Sequence, residues 1–204
     1  MLHYESIAPG THRLLKFISS VPELSDFFLA GGTALALQIG HRISVDLDFF
    51  GNRQFTNEEI LDLLSDFKPL SIISQNKNIL ILNVQNIKVD FVNYRYRPIA
   101  EPVFTDSIRL LATSDIAAMK LAAIAGRGRK RDFYDLYFLL NEFSLQRMIG
   151  FYNEKFNDGS ELMVARSLTF FEDAETDEPP LLLNQEVLWD EVKKKILEEV
   201  KKVY

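Results

Sequence analysis

The spacing of apolar residues changes about halfway along the chain. Up to about residue 105, short apolar runs broken by turn residues read as strands with intervening helices. From about residue 114 the apolar positions recur with helical spacing. Leu14, Leu15, Phe17, Ile18 and Val21 predict a helix over residues 11–21 that Pro22 closes. Asp26–Ala30 reads as a short buried strand. Gly31-Gly32 punctuates it, Thr33 is placed to cap a helix Ala34–Ile39, and Gly40 ends that helix. A polar loop with His41, Arg42 and Ser44 leads into a strand Val45–Phe50.

Thr56 with Glu59 has the form of a capping box, so a helix is expected over Asn57–Phe67, stopped by Pro69. Ser71–Ser74, Asn78–Val84 and Ile87–Asn93 read as three strands, the last two joined tightly at Gln85-Asn86. Pro98 and Pro102 mark an irregular stretch before Val103-Phe104. Ser114 is placed to cap a helix Asp115–Ala125 ended by Gly126, and a glycine-and-basic loop leads to an apolar helix Arg131–Phe143. Ser144 caps a further helix Leu145–Phe156, residues 157–186 look partly irregular, and Gln185–Lys202 is amphipathic. The expected organisation is a core over residues 1–105 and a helical region over 106–204 that completes the active site.

Composition narrows the function classes. With 204 residues, 47% hydrophobic and 25% charged, the chain is long enough to bury a core. Without cysteine it has no disulfide framework, thiolate zinc site or Cys nucleophile. No apolar run approaches the ~20 residues that cross a bilayer, and the first residues do not have the form of a signal peptide, so a cytoplasmic protein with no membrane partner is expected. The net charge of −6 argues against coating duplex DNA. A pure nucleic-acid-binding module is disfavoured by the same charge and because no aromatic-plus-basic strand stands out. Arg127, Arg129, Lys130 and Arg131 nevertheless crowd together, which suits a compact anion such as a triphosphate or an RNA end.

The candidate chemistry lies mainly in Phe28–Phe50. In a strand, residues i and i+2 share a face, so Asp46 and Asp48 point together while Leu47 and Phe49 face the core. Two like charges so placed repel unless a cation sits between them, and hard oxygen ligands suit Mg²⁺. The same spacing also fits a solvated strand face. Gly31-Gly32-Thr33, between a strand and a helix start, is where backbone N–H groups hold phosphate, or simply a tight turn. Asp90 lies opposite Ile87, Val89 and Phe91 on its strand. If that strand lies beside Val45–Phe50, Asp90 completes a carboxylate triad. Lys120 comes just ahead of the basic loop, and Asp132 and Asp135 are neighbours on the next helix, able to anchor Arg127 or Arg131 or to orient Lys120. The phenylalanines and tyrosines of FYDLYFLL, Phe133, Tyr134, Tyr137 and Phe138, read as core rather than as a base-stacking platform. No nucleophile elbow, zinc-binding histidine spacing or Walker loop is present.

The ordered segments GGTALALQIGHRISVDLDFF, KVDFV and DIAAMKLAAIAGRGRKRDFYDLYFLL, followed by SLTFFEDAETDEPPLLL, resemble the AbiEii-type toxin nucleotidyltransferases, a branch of the DNA polymerase β-like superfamily. The resemblance spans roughly residues 25–185. It implies an α/β (α+β) nucleotidyltransferase core with a mixed sheet, followed by a helical C-terminal part. It implies that Gly31, Gly32 and Thr33 form the phosphate-binding turn, that Asp46 and Asp48 hold Mg²⁺ (or Mn²⁺), with Asp90 as third metal and catalytic carboxylate, that Lys120 contacts the triphosphate and that Asp132 is the acid after the basic loop. Arg42, Ser44, Arg127 and Arg131 join the nucleotide-binding candidates. Asp90 is less uniformly placed in this family, and Thr33 stands where the wider superfamily often has Ser. Relatives act as toxins in toxin–antitoxin or phage-defence pairs, and some transfer nucleotides to the 3′ end of tRNA. The implied partners are an NTP, an RNA acceptor such as tRNA and a cognate antitoxin. The alternatives are a protein or small-molecule acceptor, or an inactive relative that binds nucleotide or protein.

Overall fold

The alternating runs of the first half form one seven-stranded mixed sheet in the strand order Leu70–Gln75, Ile79–Val84, Ile87–Asn93, Leu47–Gly51, Phe28–Ala30, Ile108–Leu110, Val103–Thr105. A computed structural model describes all residues from Met1 to Tyr204. They fall into two units, Met1–Gly40 with Ser44–Ala112, and His41–Ile43 with Thr113–Tyr204.

In the first unit, helix α1 (Pro9–Ser20) precedes strand β1 (Phe28–Ala30), helix α2 (Gly31–Ile39) and strand β2 (Leu47–Gly51). Helix α3 (Asn57–Leu63) then leads to β3 (Leu70–Gln75), β4 (Ile79–Val84), β5 (Ile87–Asn93), β6 (Val103–Thr105) and β7 (Ile108–Leu110). β2 pairs with β5 and β1 with β7 in parallel; the other pairs are antiparallel. One face buries Leu29, Leu47, Phe49, Leu80, Leu82, Val89 and Phe91. The other carries the half-buried alternates, Asp48 and Phe50 on β2 and Asp90 and Val92 on β5. β4 and β5 meet at Gln85-Asn86, both left-handed, as a tight hairpin requires.

Several boundaries differ from the sequence reading. α2 starts at Gly31, so Thr33 lies inside the helix and caps nothing. β2 starts at Leu47, leaving Val45 and Asp46 in the approach to the strand. α3 stops at Leu63, although Thr56 does cap it by accepting from the Glu59 N–H, and the Glu59 carboxylate turns to Arg53. β6 and β7 form a hairpin of which only Val103-Phe104 was foreseen. Its Asp106-Ser107 turn takes left-handed backbone without a glycine, so no glycine marked it.

In the second unit the helices are α4 (Thr113–Arg127), α5 (Lys130–Leu139), α6 (Leu145–Lys155), α7 (Glu161–Ser167), α8 (Glu172–Glu175) and α9 (Trp189–Val203). α4 runs straight through Gly126, and the break falls at Gly128, whose φ of +53° favours glycine. Ser144 and Ser160 cap α6 and α7 by accepting N–H bonds from Arg147 and Met163. α4 packs on α5, α6 and α7, and α9 on α5 and α6. A buried ion pair joins Lys155 Nζ to Asp115 Oδ1 at 2.6 Å inside this core. Residues 41–43 pair with 181–183: Arg42 and Leu182 form an antiparallel bridge, Ile43 N–H donates to Leu181 and Leu183 N–H to His41.

Candidate functional site

Strand register builds the first group of charges. Ala30 pairs with Asp48, and Asp48 with Asp90, so the carboxylates of two neighbouring strands stand side by side on the half-exposed face. Gly31 follows Ala30 and opens α2 with φ +65°. A Cβ on Gly31 would collide with Asp48 Oδ2, so glycine is needed both for the backbone angle and for the space beside this carboxylate. The first N–H groups of α2, unsatisfied within the helix, begin at this point. Buried Thr33 donates from Oγ1 to the Asp46 carbonyl and lies 2.8 Å from Ser44 Oγ, so both hydroxyls tie the approach to β2 onto α2. Asp46 sits two residues before Asp48, and both are half-buried around buried Leu47. Lys88 Nζ contacts both oxygens of Asp90 at 2.6 Å. Lys88 and Asp90 are i, i+2 on β5, which is the sequence signal for this pair.

The structure therefore brings Asp48, Asp90 and Gly31 together and sets Asp46 at the strand entrance. It assembles no cage of three or more His, Asp or Glu side chains. Mg²⁺ commonly uses one or two carboxylates with substrate phosphates completing its shell, and the Asp46/Asp48 donor set suits that arrangement.

The second group belongs to the helical unit. Asp132 and Asp135, both fully buried, lie on α5. Lys120 Nζ on α4 is 2.9 Å from Asp132 Oδ1 and 2.5 Å from Asp135 Oδ2. Arg127 reaches Asp132 through Nε at 2.9 Å and Nη2 at 3.1 Å. Arg42 grips Asp135 with a fork, Nε at 2.6 Å and Nη2 at 3.0 Å. His41 Nε2 is 2.7 Å from Asp135 Oδ1. Burial works to raise the Asp135 carboxyl, yet Arg42 and Lys120, with hydrogen bonds from His41 and Arg42, hold it well below the usual carboxylate range. Asp132 is lowered in the same way, against burial, by Lys120 and Arg127. Burial pushes His41 down despite Asp135, which keeps the ring neutral. Its proton sits on Nε2, since the carboxylate can only accept, and Nδ1 lies buried without a partner.

The basic loop is largely committed within this unit. Arg129 pairs with Asp177 at 2.7 Å. Lys130 is buried, donates to the Glu175 carbonyl at 3.0 Å and lies over the Trp189 ring. Arg127 keeps about half of its side chain exposed, and Arg131 is exposed. Of the partners the sequence offers Asp132 and Asp135, Lys120 meets both and Arg127 meets Asp132, while His41, next to Arg42 in the polar loop, shares Asp135 with it, a role that no local spacing announces.

Comparison with known proteins agrees with this architecture. The family model described as nucleotidyl transferase AbiEii toxin, type IV TA system, matches residues 13–202. An uncharacterized protein, aq_aa25 of Aquifex aeolicus (strain VF5), is 33% identical over 193 residues, covering 92% of each chain. Two solved structures share the fold. MenT4, a nucleotidyltransferase toxin from Mycobacterium tuberculosis H37Rv, has a TM-score of 0.61 at 16% identity over 94% of this chain and 82% of its own. JHP933 from Helicobacter pylori has a TM-score of 0.58 at 18% identity over 97% and 93%. With a family match along nearly its whole length, this chain belongs to the AbiEii nucleotidyltransferase toxin family.

Proposed function

We propose that the chain transfers a nucleoside monophosphate from an NTP to a hydroxyl of an RNA acceptor, the 3′ end of tRNA, with Mg²⁺ (or Mn²⁺), and acts as the toxin of a toxin–antitoxin or phage-defence pair. The observation that carries this reading is Asp48, pressed against the Gly31 turn at the start of α2 and in register with Asp90. The N–H groups of Gly31 and Gly32 hold phosphate oxygens at the helix start. Asp46 and Asp48 would hold the metal, with Thr33 and Ser44 fixing the backbone that carries them. Held there, a divalent cation would supply neutralisation of charge on the transferred phosphoryl.

The acceptor oxygen bonds to the α-phosphorus as the bond to the bridging oxygen breaks, and pyrophosphate leaves. Asp90 accepts the hydroxyl proton once Lys88, whose side chain is partly exposed, swings from it to phosphate. In the helical unit, Lys120 fixes Asp132 and Asp135, while Arg127 and Arg131 are the cations that meet an anionic substrate. The acidic net charge favours a second reading, transfer to a protein or small-molecule acceptor.

Incubation with labelled NTPs, Mg²⁺ and total tRNA, beside protein and small-molecule acceptors, tests both readings. Label on tRNA, lost in Asp46→Ala together with toxicity on expression, is the expected result. Label on another acceptor alone selects the second reading, and no label anywhere with undiminished toxicity of Asp46→Ala overturns both.

A further inference from the structure

The face that carries Asp48 and Asp90 also carries a row of aromatic rings. Two positions along the strands from Ala30, Asp48 and Asp90, register sets Phe28 against Phe50 and Phe50 against Val92. Alternation in a strand repeats every second residue, so Phe50 lies on the face of Asp48, roughly 7 Å along β2. The row extends both ways. Phe104 on β6 meets Phe28 edge-on, with ring centroids 6.2 Å apart. Tyr94 meets Phe50 edge-on at 4.9 Å, and Tyr96 follows at 5.3 Å. Tyr94 N–H donates to the Gly51 carbonyl, which carries the β2–β5 pairing one step past the end of β5.

These rings are not core. Phe104 is 67% exposed, and Phe28, Phe50, Tyr94 and Tyr96 are half-buried. Arginines alternate with the tyrosines at one end. Arg95 and Arg97 are exposed, and the Arg95 guanidinium lies 4.6 Å from the Tyr96 ring centre. An apolar protein partner would leave these guanidiniums facing apolar surface, and the base of one NTP would use one or two rings of five. Several faces for successive bases, with cations for the linking phosphates, suit an unpaired nucleic-acid strand. The carboxylates at the edge of the row repel phosphate unless a cation is bound, which favours bases over backbone against the rings.

We propose that the row from Phe104 to Tyr96, with Arg95 and Arg97, is the platform on which the unpaired end of the RNA acceptor stacks. The proposal deepens the nucleotidyl-transfer reading and rests on it for the RNA's being an acceptor. The aromatic-plus-basic run Tyr94-Arg95-Tyr96-Arg97 lies just past the end of β5, outside any strand.

The test is fluorescence polarisation of a labelled single-stranded RNA of about eight nucleotides, without NTP or metal, on the full chain. Wild type, Phe104→Ala, Tyr96→Ala, the double variant and Arg95→Gln/Arg97→Gln are compared, with circular dichroism confirming the fold. Each ring removed is expected to raise Kd about tenfold, and the arginine variant to flatten the dependence of binding on salt. Blunt duplex RNA should compete weakly. No binding by wild type, unchanged Kd in the folded double variant, or equal competition by duplex overturns the platform. Because binding is read without catalysis, a wild type that binds the strand through these rings yet labels no acceptor leaves the platform standing and removes only the transfer reading.

Discussion

The chain holds two groups of carboxylates, and they differ in what surrounds them. Asp46 and Asp48 are half-buried, placed by a strand and its approach, and Asp48 lies beside a glycine that leaves space and amide donors next to it. Asp132 and Asp135 are fully buried on a helix and met by Lys120, Arg42 and Arg127 within the same unit. A carboxylate that has spent its charge on buried cations is a structural anchor, because an incoming metal would have to break those pairs. On the nucleotidyl-transfer reading proposed above, the half-exposed pair is the one that takes the ion and the phosphate. The acids nearest to the basic loop in sequence are thus the less available ones for metal binding.

Four experiments press on that contrast. The largest effect is expected from Asp135→Ala. It strands Arg42 and Lys120 in a buried site, and chemical denaturation should show a loss of about 3–5 kcal/mol. A loss below about 1 kcal/mol would mean that the helical cluster is no anchor. Asp48→Asn should do the reverse. It lowers the transfer rate about a hundredfold or more, while the melting temperature barely moves. Equal damage to stability would erase the distinction between the groups.

Gly31→Ala comes next. It meets both the left-handed backbone and the Asp48 carboxylate. Its cost is about 1–3 kcal/mol, and metal-dependent NTP affinity, read by calorimetry, should fall with it. The gentlest probe is pH. The folded protein keeps His41 neutral and its pKa below the usual value, so the unfolded chain takes up a proton first and stability declines as pH falls below 6.5. Asp132 and Asp135 are depressed when folded. Their contribution is full above the ordinary carboxylate value of 3.8 and is lost as pH falls further. Thermal melts should show both declines, and His41→Gln should reduce only the upper one, to which His12, also held below its usual value by burial, contributes as well.

Much of this fold was legible in the chain. Period-two runs marked β4 and β5 to within a residue, Thr56 and Ser144 announced their helices, and Gly40 closed α2. These signals are local. They depend on backbone angles and on side chains bonding to amides a few residues away, so the sequence carries them without knowledge of the fold. The i, i+2 spacing of Asp46 and Asp48 is local too, but β2 starts only at Leu47, so strand alternation holds for Asp48 and leaves Asp46 in the approach.

What only the tertiary structure decided is the pairing of distant parts. Parallel pairing of β2 with β5 sets Asp48 beside Asp90 across more than forty residues, and no short-range pattern specifies that register. The same holds for Asp135 with His41 and Arg42, and for Phe104 with Phe28. The sequence by itself determined which residues can hold charge, turn the chain and share a face. Burial decided which charges are locked, because desolvation forces a buried carboxylate to keep its cations while a half-exposed one is left to exchange them.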